Sequence, residues 1–470
     1  MPPALVDPNP PASIAVPSRP GQSPTTGSTP RAGIRTKRPR RFRQPTAAPV
    51  QERFRATIAP PETVVNVQPV QTGVPDPALA SVPLRKRRLP EDDPFAPVPV
   101  RLGNVNLLPV IGDSIGYDTN PNRTERNRNG SFLSRTEGEL GVQSDWSRHE
   151  LSGFLRGAYN EYPSNTPANR PEGTGRLALR IDATRDLQFD TEVHYQIDTQ
   201  RPGSPDLNRV VATRPVVYTE GASVGVTQRL NRVVLSLRGT IERADYENAD
   251  LGNGTILDQS DRALTAYGLR GRVGYEMTPG LIPFVETTVD TREYDKPIDS
   301  AGYRRSSDGV AGRLGTTFEI TRLLTGEVSA GAVNRTYRDA RLGSLLSPVA
   351  NGALAYAMTP LTTVRANVAA TVDETTVAGA NGIRTVRGGI EVSHALRRNV
   401  TLTAGVTAGE SDYQGVRITE RSFGALLRAD YRLNRNVALR ASYQYDTIQS
   451  SVAGSSYATN IFLVGLRINP

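Results

Sequence analysis

From about residue 101 to the C-terminus, apolar and polar residues alternate with a period of two, which constrains the fold more than any other feature of the chain. Successive side chains of a β-strand point to opposite faces, so such alternation marks a strand with one apolar and one polar side. Val437, Leu439, Ala441, Tyr443 and Tyr445 share one face, opposed by Ala438, Arg440, Ser442, Gln444 and Asp446. Leu187, Phe189, Val193, Tyr195 and Ile197 oppose Gln188, Asp190, Glu192, His194, Gln196 and Asp198. Val400, Leu402, Ala404, Val406 and Ala408 alternate with Thr401, Thr403, Gly405, Thr407 and Gly409, and Phe423, Ala425, Leu427, Ala429 and Tyr431 flank Arg428, Asp430 and Arg432. A helical stripe at i, i+3, i+4 fits none of them.

No run of 18 apolar residues occurs, so a transmembrane helix is excluded. The mean hydropathy of −0.41 does not exclude a transmembrane barrel, in which only alternate residues meet lipid. Tight turns fall near residues 147, 185, 231, 279, 322, 360, 398 and 435, and longer polar segments lie between them at 120–130, 201–214, 247–261 and 295–309. Several turns repeat one another: Tyr275-Glu-Met-Thr-Pro279 matches Tyr356-Ala-Met-Thr-Pro360, and Leu230-Asn-Arg-Val233 resembles Leu433-Asn-Arg-Asn-Val437. A propeller also repeats at about 40 residues, but its strands are shorter and come four to a blade. The pattern therefore predicts an all-β fold, a transmembrane antiparallel up-and-down β-barrel of about 18 strands. A first strand covers about Gly103 to Asp118, eight hairpins follow, and a last strand covers about Tyr457 to Ile468. Residues 281–294 and 349–358 alternate poorly. Aromatics predict two interfacial girdles: Trp146, Tyr275, Phe318, Tyr356 and Tyr431 at the tight-turn ends, and Tyr117, Tyr159, Tyr246, Tyr294, Tyr337, Tyr413 and Tyr445 at the loop ends.

Residues 1–100 have a different character. They hold 22 of the 36 prolines and carry 14 Lys and Arg against 7 Asp and Glu. Such a composition buries too little apolar surface to offset backbone entropy, so a disordered Pro/Arg-rich tail is expected before the barrel of residues 101–470. The clusters Arg35-Thr-Lys-Arg-Pro-Arg-Arg-Phe-Arg43 and Arg85-Lys-Arg-Arg88 lack interleaved aromatics for base stacking. They suit anionic headgroups, peptidoglycan or another anionic polymer rather than nucleic acid. The start, Met1-Pro-Pro-Ala-Leu-Val-Asp7, shows no signal peptide. An exported barrel requires one, so the numbering is expected to begin after a cleaved signal or from a mis-set start.

Residues suited to chemistry are sparse. With no Cys there is no disulfide framework and no thiolate metal site. His149, His194 and His394 fall in different repeats without ligand spacing, so no metal or cofactor is expected. Asp118-Thr-Asn-Pro-Asn122 imitates the start of a calcium loop, yet Arg123 stands where that loop needs Gly and Asn129 where it needs Glu. Gly268, Gly271 and Gly274 open no helix and suit strands packed close together. No His has a persuasive Ser partner in strand register, so an enzyme is not expected.

Glu91-Asp-Asp-Pro-Phe-Ala-Pro97, Leu107-Leu-Pro-Val110 and Ile115-Gly-Tyr-Asp-Thr-Asn-Pro-Asn-Arg123 resemble the barrel entry of the putative outer-membrane β-barrel porin family of Gram-negative bacteria. That family carries a Tyr-Asp-x-Asn motif at the end of the first strand, matched here by Tyr117-Asp118-Thr119-Asn120. The resemblance covers roughly residues 91–470 by layout. It implies an outer-membrane location, lipid and the barrel-insertion machinery as partners, and a tail in the periplasm; it says little about function or oligomeric state. One departure is the C-terminus, where Ile468 takes the last out-facing place usually held by an aromatic assembly signal.

Two function classes remain: a porin-like channel for small polar or anionic solutes, and a barrel component of surface polysaccharide export or envelope assembly. Candidate pore-lining residues are Arg180, Glu192, Arg238, Arg270, Arg272, Glu286, Asp290, Arg365, Arg428, Arg432 and Arg440. Residues 101–470 hold 42 basic and 40 acidic residues, which predicts a ladder of ion pairs on the lumen wall. Arg428, Arg432 and Arg440 are expected to form a local basic patch near one mouth. No loop exceeds about 20 residues, and none stands out as one that folds inward.

Overall fold

The computed structural model of the chain describes residues 95–207, 211–251, 253–321 and 323–469. Residues 1–94 of the expected tail, with both Lys/Arg clusters, lie outside the described residues. Eighteen long strands make the wall. The first six are β1 (Val105–Asp118), β2 (Ser131–Ser144), β3 (Glu150–Glu161), β4 (Arg170–Asp182), β5 (Leu187–Thr199) and β6 (Val216–Leu230). Next come β7 (Val233–Tyr246), β8 (Leu264–Tyr275), β9 (Leu281–Tyr294), β10 (Ser307–Thr321), β11 (Leu324–Tyr337) and β12 (Ser344–Thr359). The last six are β13 (Thr362–Asp373), β14 (Gly382–Arg397), β15 (Val400–Gln414), β16 (Ile418–Arg432), β17 (Val437–Ser450) and β18 (Tyr457–Ile468). Each pairs antiparallel with its neighbours in sequence.

The sheet closes on itself. β1 pairs with β18 from Ile111 opposite Ile468 to Asp118 opposite Ile461. Backbone groups facing hydrocarbon have no water to bond, so a spanning sheet must leave no edge. Two glycines permit the seam. A Cβ on Gly116 would run into the carbonyl oxygen of Phe462, and one on Gly465 into that of Asp113. β1 extends beyond the end of β18, and the short strand Val100–Leu102 pairs with Val105–Leu107 along that overhang.

All eight expected tight turns are present, at one end of the barrel. Asn serves the repeated Leu-Asn-Arg turns in two ways. Asn231 takes a left-handed φ of 57° between β6 and β7, a conformation Asn tolerates well. Asn434 instead accepts the amides of Asn436 and Val437 with its side chain, each at 2.8 Å. The longer connections lie at the other end.

The two faces separate as the alternation requires. Ile115, Phe132, Leu155, Val310 and Leu314 point outward and are among the most exposed apolar residues of the chain. On β18, Phe462, Val464, Leu466 and Ile468 all face outward. So large an exposed apolar surface is that of a protein embedded in lipid. The two poorly alternating segments are strands too, within β9 and β12. Their inward faces carry apolar residues such as Phe284, Val349 and Ala353, which blurs the pattern. Val349 belongs to an apolar cluster with Ala311, Val333, Tyr337, Leu342, Leu345 and Val372 near the loop end.

The loop-end girdle differs from expectation. Tyr117, Tyr159 and Tyr445 do face outward, but Tyr246, Tyr294, Tyr337 and Tyr413 project inward beneath the loops. Tyr294, Tyr337 and Tyr413 are at most 8% exposed. Each stands an even number of residues from an inward Arg, Glu or Ser on its own strand, so parity sends it to the lumen.

A charge at the lipid-facing midplane costs about 2–4 kcal/mol. Leu439→Arg, on the outward face of β17, should therefore impair folding far more than Ser442→Arg on its inward face. The heat-modifiable band shift of the folded barrel measures this; equal tolerance would contradict the facing.

Candidate pore and its loop-end mouth

The inward wall is a lattice of ion pairs that crosses from strand to strand. Around the seam, Arg428 and Arg440 share the Asp430 carboxylate at 3.3 and 2.7 Å. Arg440 also reaches Glu137 on β2 at 3.7 Å, and Arg467 on β18 lies 3.5 Å from Glu137 and 2.7 Å from Glu139. These bridges pass over β1 because Gly112 faces inward there; a Cβ at that position would sit 2.9 Å from Cγ of Glu137. Arg156 continues the lattice to Glu139 at 3.3 Å.

The other candidate residues take part in similar pairs. Arg180 lies 3.2 Å from both Glu150 and Asp182, and Glu192 accepts from Arg176 at 2.6 Å. Arg238 donates to Ser223 at 3.0 Å and stands 3.9 Å from Asp190. Glu286 is shared by Arg270 at 3.9 Å, Arg272 at 2.7 Å and Arg313 at 3.3 Å. Asp290 pairs with Arg335 and with Arg292, and Arg365 with Glu391 at 3.4 Å. Arg432 sits at the tight-turn end of β16, half-buried. The expected basic patch is not formed as such: Asp430, between Arg428 and Arg432 and on the same face, draws both Arg428 and Arg440 to itself. Pairs of this kind in contact with water contribute roughly 0–1 kcal/mol each, so their main effect is to stiffen the wall.

At the loop end the Tyr117-Asp118-Thr119-Asn120 motif acts as an anchor. The fully buried Asp118 carboxylate accepts from Arg123 at 2.9 Å, Thr459 at 2.6 Å, Tyr162 at 3.0 Å and the Asn120 amide at 2.9 Å. Asn120 donates to the carbonyls of Thr124 and Ala458 at 2.7 and 3.1 Å. The guanidinium of Arg123 supplies the positive charge beside the Asp118 carboxylate in this segment. Among the described residues no group of three or more His, Asp or Glu is placed to hold a metal.

The β5–β6 connection folds inward, contrary to the expectation that none would stand out. Asp206 accepts from Thr375 Oγ1 at 2.8 Å, the Thr376 amide at 3.1 Å and the Tyr413 hydroxyl at 3.3 Å. Those partners belong to β15 and the β13–β14 connection, on the far side of the barrel. Leu207 beside it is 1% exposed. Where the connection leaves β5, Arg201 binds Glu420 at 2.5 Å and the Ser455 carbonyl at 2.8 Å. The receiving loop is itself fixed by Arg305, which donates to the carbonyls of Thr375, Val377 and Ala380 at 2.8, 2.9 and 2.6 Å. Contacts between residues 169 positions apart leave no local trace in the sequence.

Beneath this strap lies a cavity of about 330 Å³, walled by β1–β5 and β16–β18. Eight arginines and four carboxylates line it, and Asp118, Glu139, Glu420 and Asp430 beside it pair with Arg123, Arg156, Arg201 and with both Arg428 and Arg440. Arg123, Arg170, Arg201 and Arg214 supply the part nearest the mouth. None was a candidate from the sequence, although Arg201 and Arg214 bracket the polar segment that forms the strap.

The sequence profile of a family described as putative beta-barrel porin 2 matches residues 93–470. No curated protein matches the chain in sequence. Similar solved structures include the copper transporter OprC, 11% identical over 79% of this chain and 81% of that one, with a TM-score of 0.42. OpdQ from Pseudomonas aeruginosa is 10% identical over 80% and 99% of the two chains, with a TM-score of 0.39. A BenF-like porin from Pseudomonas fluorescens Pf-5 is 11% identical over 78% and 100%, also at 0.39.

Asp206→Ala should release the strap with little loss of barrel stability. Hydrogen bonds to a charged group contribute about 1.5–3 kcal/mol each, enough to hold a loop but not a barrel. Single-channel recording should show a larger or noisier conductance than the native protein; an unchanged trace would mean that the strap does not narrow the path.

Proposed function

Given that this chain belongs to the putative beta-barrel porin 2 family, we propose that it is an outer-membrane channel for small polar solutes, with a weak preference for anions. The observation that carries this reading is the arginine-lined cavity inside a closed barrel. An 18-stranded barrel is wide enough to enclose water unless something fills it, and the strap narrows one mouth. Guanidinium groups around a confined path raise the local concentration of anions. The ion-paired candidates, from Arg180 and Glu192 through Glu286 to Arg440, line the path as a near-neutral wall, which keeps the selectivity weak.

Short turns face the periplasm and longer loops the exterior in outer-membrane barrels. The strap and cavity then stand at the outer mouth. Val100–Leu102 enters at the tight-turn end, which supports a periplasmic place for the tail that precedes it.

Reversal potentials across a salt gradient should favour anions slightly at low salt. The bias should fade as ionic strength rises, because the screening length falls from roughly 10 Å at 0.1 M to 3 Å at 1 M. Strong cation selectivity would contradict the reading. Silence until a partner protein is added would favour an export or assembly component instead.

A further inference from the structure

We propose that Arg170 and Arg214 form a seat for a small carboxylate that also carries hydroxyl or ammonium donors, set in the cavity beneath the strap. The proposal deepens the channel reading and rests on it only in taking the lumen to be open to solutes.

Arg214 is held in place without a carboxylate partner among the described residues, and Arg170 is paired through Nε alone. Arg214 is 9% exposed, and among the described residues it makes one hydrogen bond, from Nη2 to the Pro121 carbonyl. Burial pushes its guanidinium down to about 9, with the charges of Arg170 and Arg123 facing it as further causes. Arg170 is 7% exposed and donates through Nε to Glu172 at 3.3 Å, while its Nη1 is buried with no acceptor. Its guanidinium lies 5.5 Å from the Tyr162 ring centroid, which fixes its plane. Asp118, within electrostatic reach of both, is already occupied by Arg123, Thr459 and Tyr162. Both arginines line the cavity.

Buried guanidinium donors without acceptors are costly, and a bound carboxylate would satisfy them through charge-assisted bonds. The same cavity offers the opposite deficit. Asp446 is 1% exposed, and its Oδ1 has no hydrogen-bond donor among the described residues, while Asp198 lines the same cavity within electrostatic reach of Arg170 and Arg214. A simple anion would meet the arginines but be repelled by these carboxylates. A molecule with a carboxylate at one end and hydroxyl or ammonium groups at the other answers both. The wall supplies opposed donors and acceptors rather than a uniform basic surface, which favours that class over phosphate or chloride.

The test is calorimetric titration of the detergent-folded full chain with galacturonate, galactose and acetate, which reads binding without requiring conduction. Galacturonate should bind, and both galactose and acetate should bind at least about tenfold more weakly. Arg214→Gln should abolish the difference between galacturonate and galactose, and Arg214→Lys, which keeps a charge in the same place, should restore part of it. Both variants should show the heat-modifiable band shift of a folded barrel. Indistinguishable binding of galacturonate and galactose to the native chain would overturn the seat, as would undiminished galacturonate binding by folded Arg214→Gln. Acetate binding as tightly as galacturonate would overturn the role of Asp446 and with it the proposed ligand class. The channel reading fails separately: a chain that binds galacturonate but never conducts overturns the channel and leaves the seat standing.

Discussion

The structure depends on one requirement: every backbone N–H and C=O within the hydrocarbon must find a partner inside the sheet. A sheet meets it only by closing, so everything turns on the seam between β1 and β18. There the strands approach so closely that Gly116 and Gly465 leave no room for a side chain. The overhanging start of β1 is itself paired, by Val100–Leu102. The tight turns follow from the same demand. They must reverse the chain in a few residues without opening an edge, and Asn231 and Asn434 do so by backbone freedom and by side-chain capping respectively.

Closure fixes an inside and an outside, and the inside must then accommodate its polar residues. Charges confined to the lumen are stable when paired, and the wall meets that condition with lattices that ignore strand boundaries. Glu286 serves three arginines, and Glu137 gathers Arg440 and Arg467 across the glycine gap in β1. The mouth is governed by the same rule at higher burial. Asp118 and Arg305 each satisfy several groups, and Asp206 ties the strap to the loop that Arg305 holds. The pairing is incomplete at several places, Arg387 and Glu242 among them, and around Arg170 and Arg214 the incomplete pairing borders the cavity.

The strands, their number and their turns were legible because period-two alternation is a local property that lipid on one side and polar groups on the other enforce. Even the weak segments in β9 and β12 are explained by apolar residues on the inward face. The loop-end tyrosines were misplaced for a specific reason: Tyr246, Tyr294, Tyr337 and Tyr413 were assigned by height along the strand, whereas parity decides facing. The basic patch failed similarly, because Asp430 shares the parity of Arg428 and Arg432 and neutralises where they would have added. The strap and the arginines near the mouth were not legible at all. They depend on contacts such as Asp206 with Thr375 and Arg214 with Pro121, which join loops far apart in sequence.

The seam can be tested directly because the chain has no cysteine. Ile115 on β1 and Val464 on β18 stand opposite one another, both facing outward. Directly opposed Cβ atoms in a sheet lie about 4.5–5.5 Å apart, within reach of a short bifunctional thiol-alkylating reagent. In the folded double variant Ile115→Cys/Val464→Cys, cross-linking should be rapid and nearly complete, and it should be lost on denaturation. The same reagent on Val406→Cys/Ala425→Cys, a pair between β15 and β16, serves as the reference. Cross-linking of the reference pair without that of the seam pair would mean that the barrel does not close where the account requires.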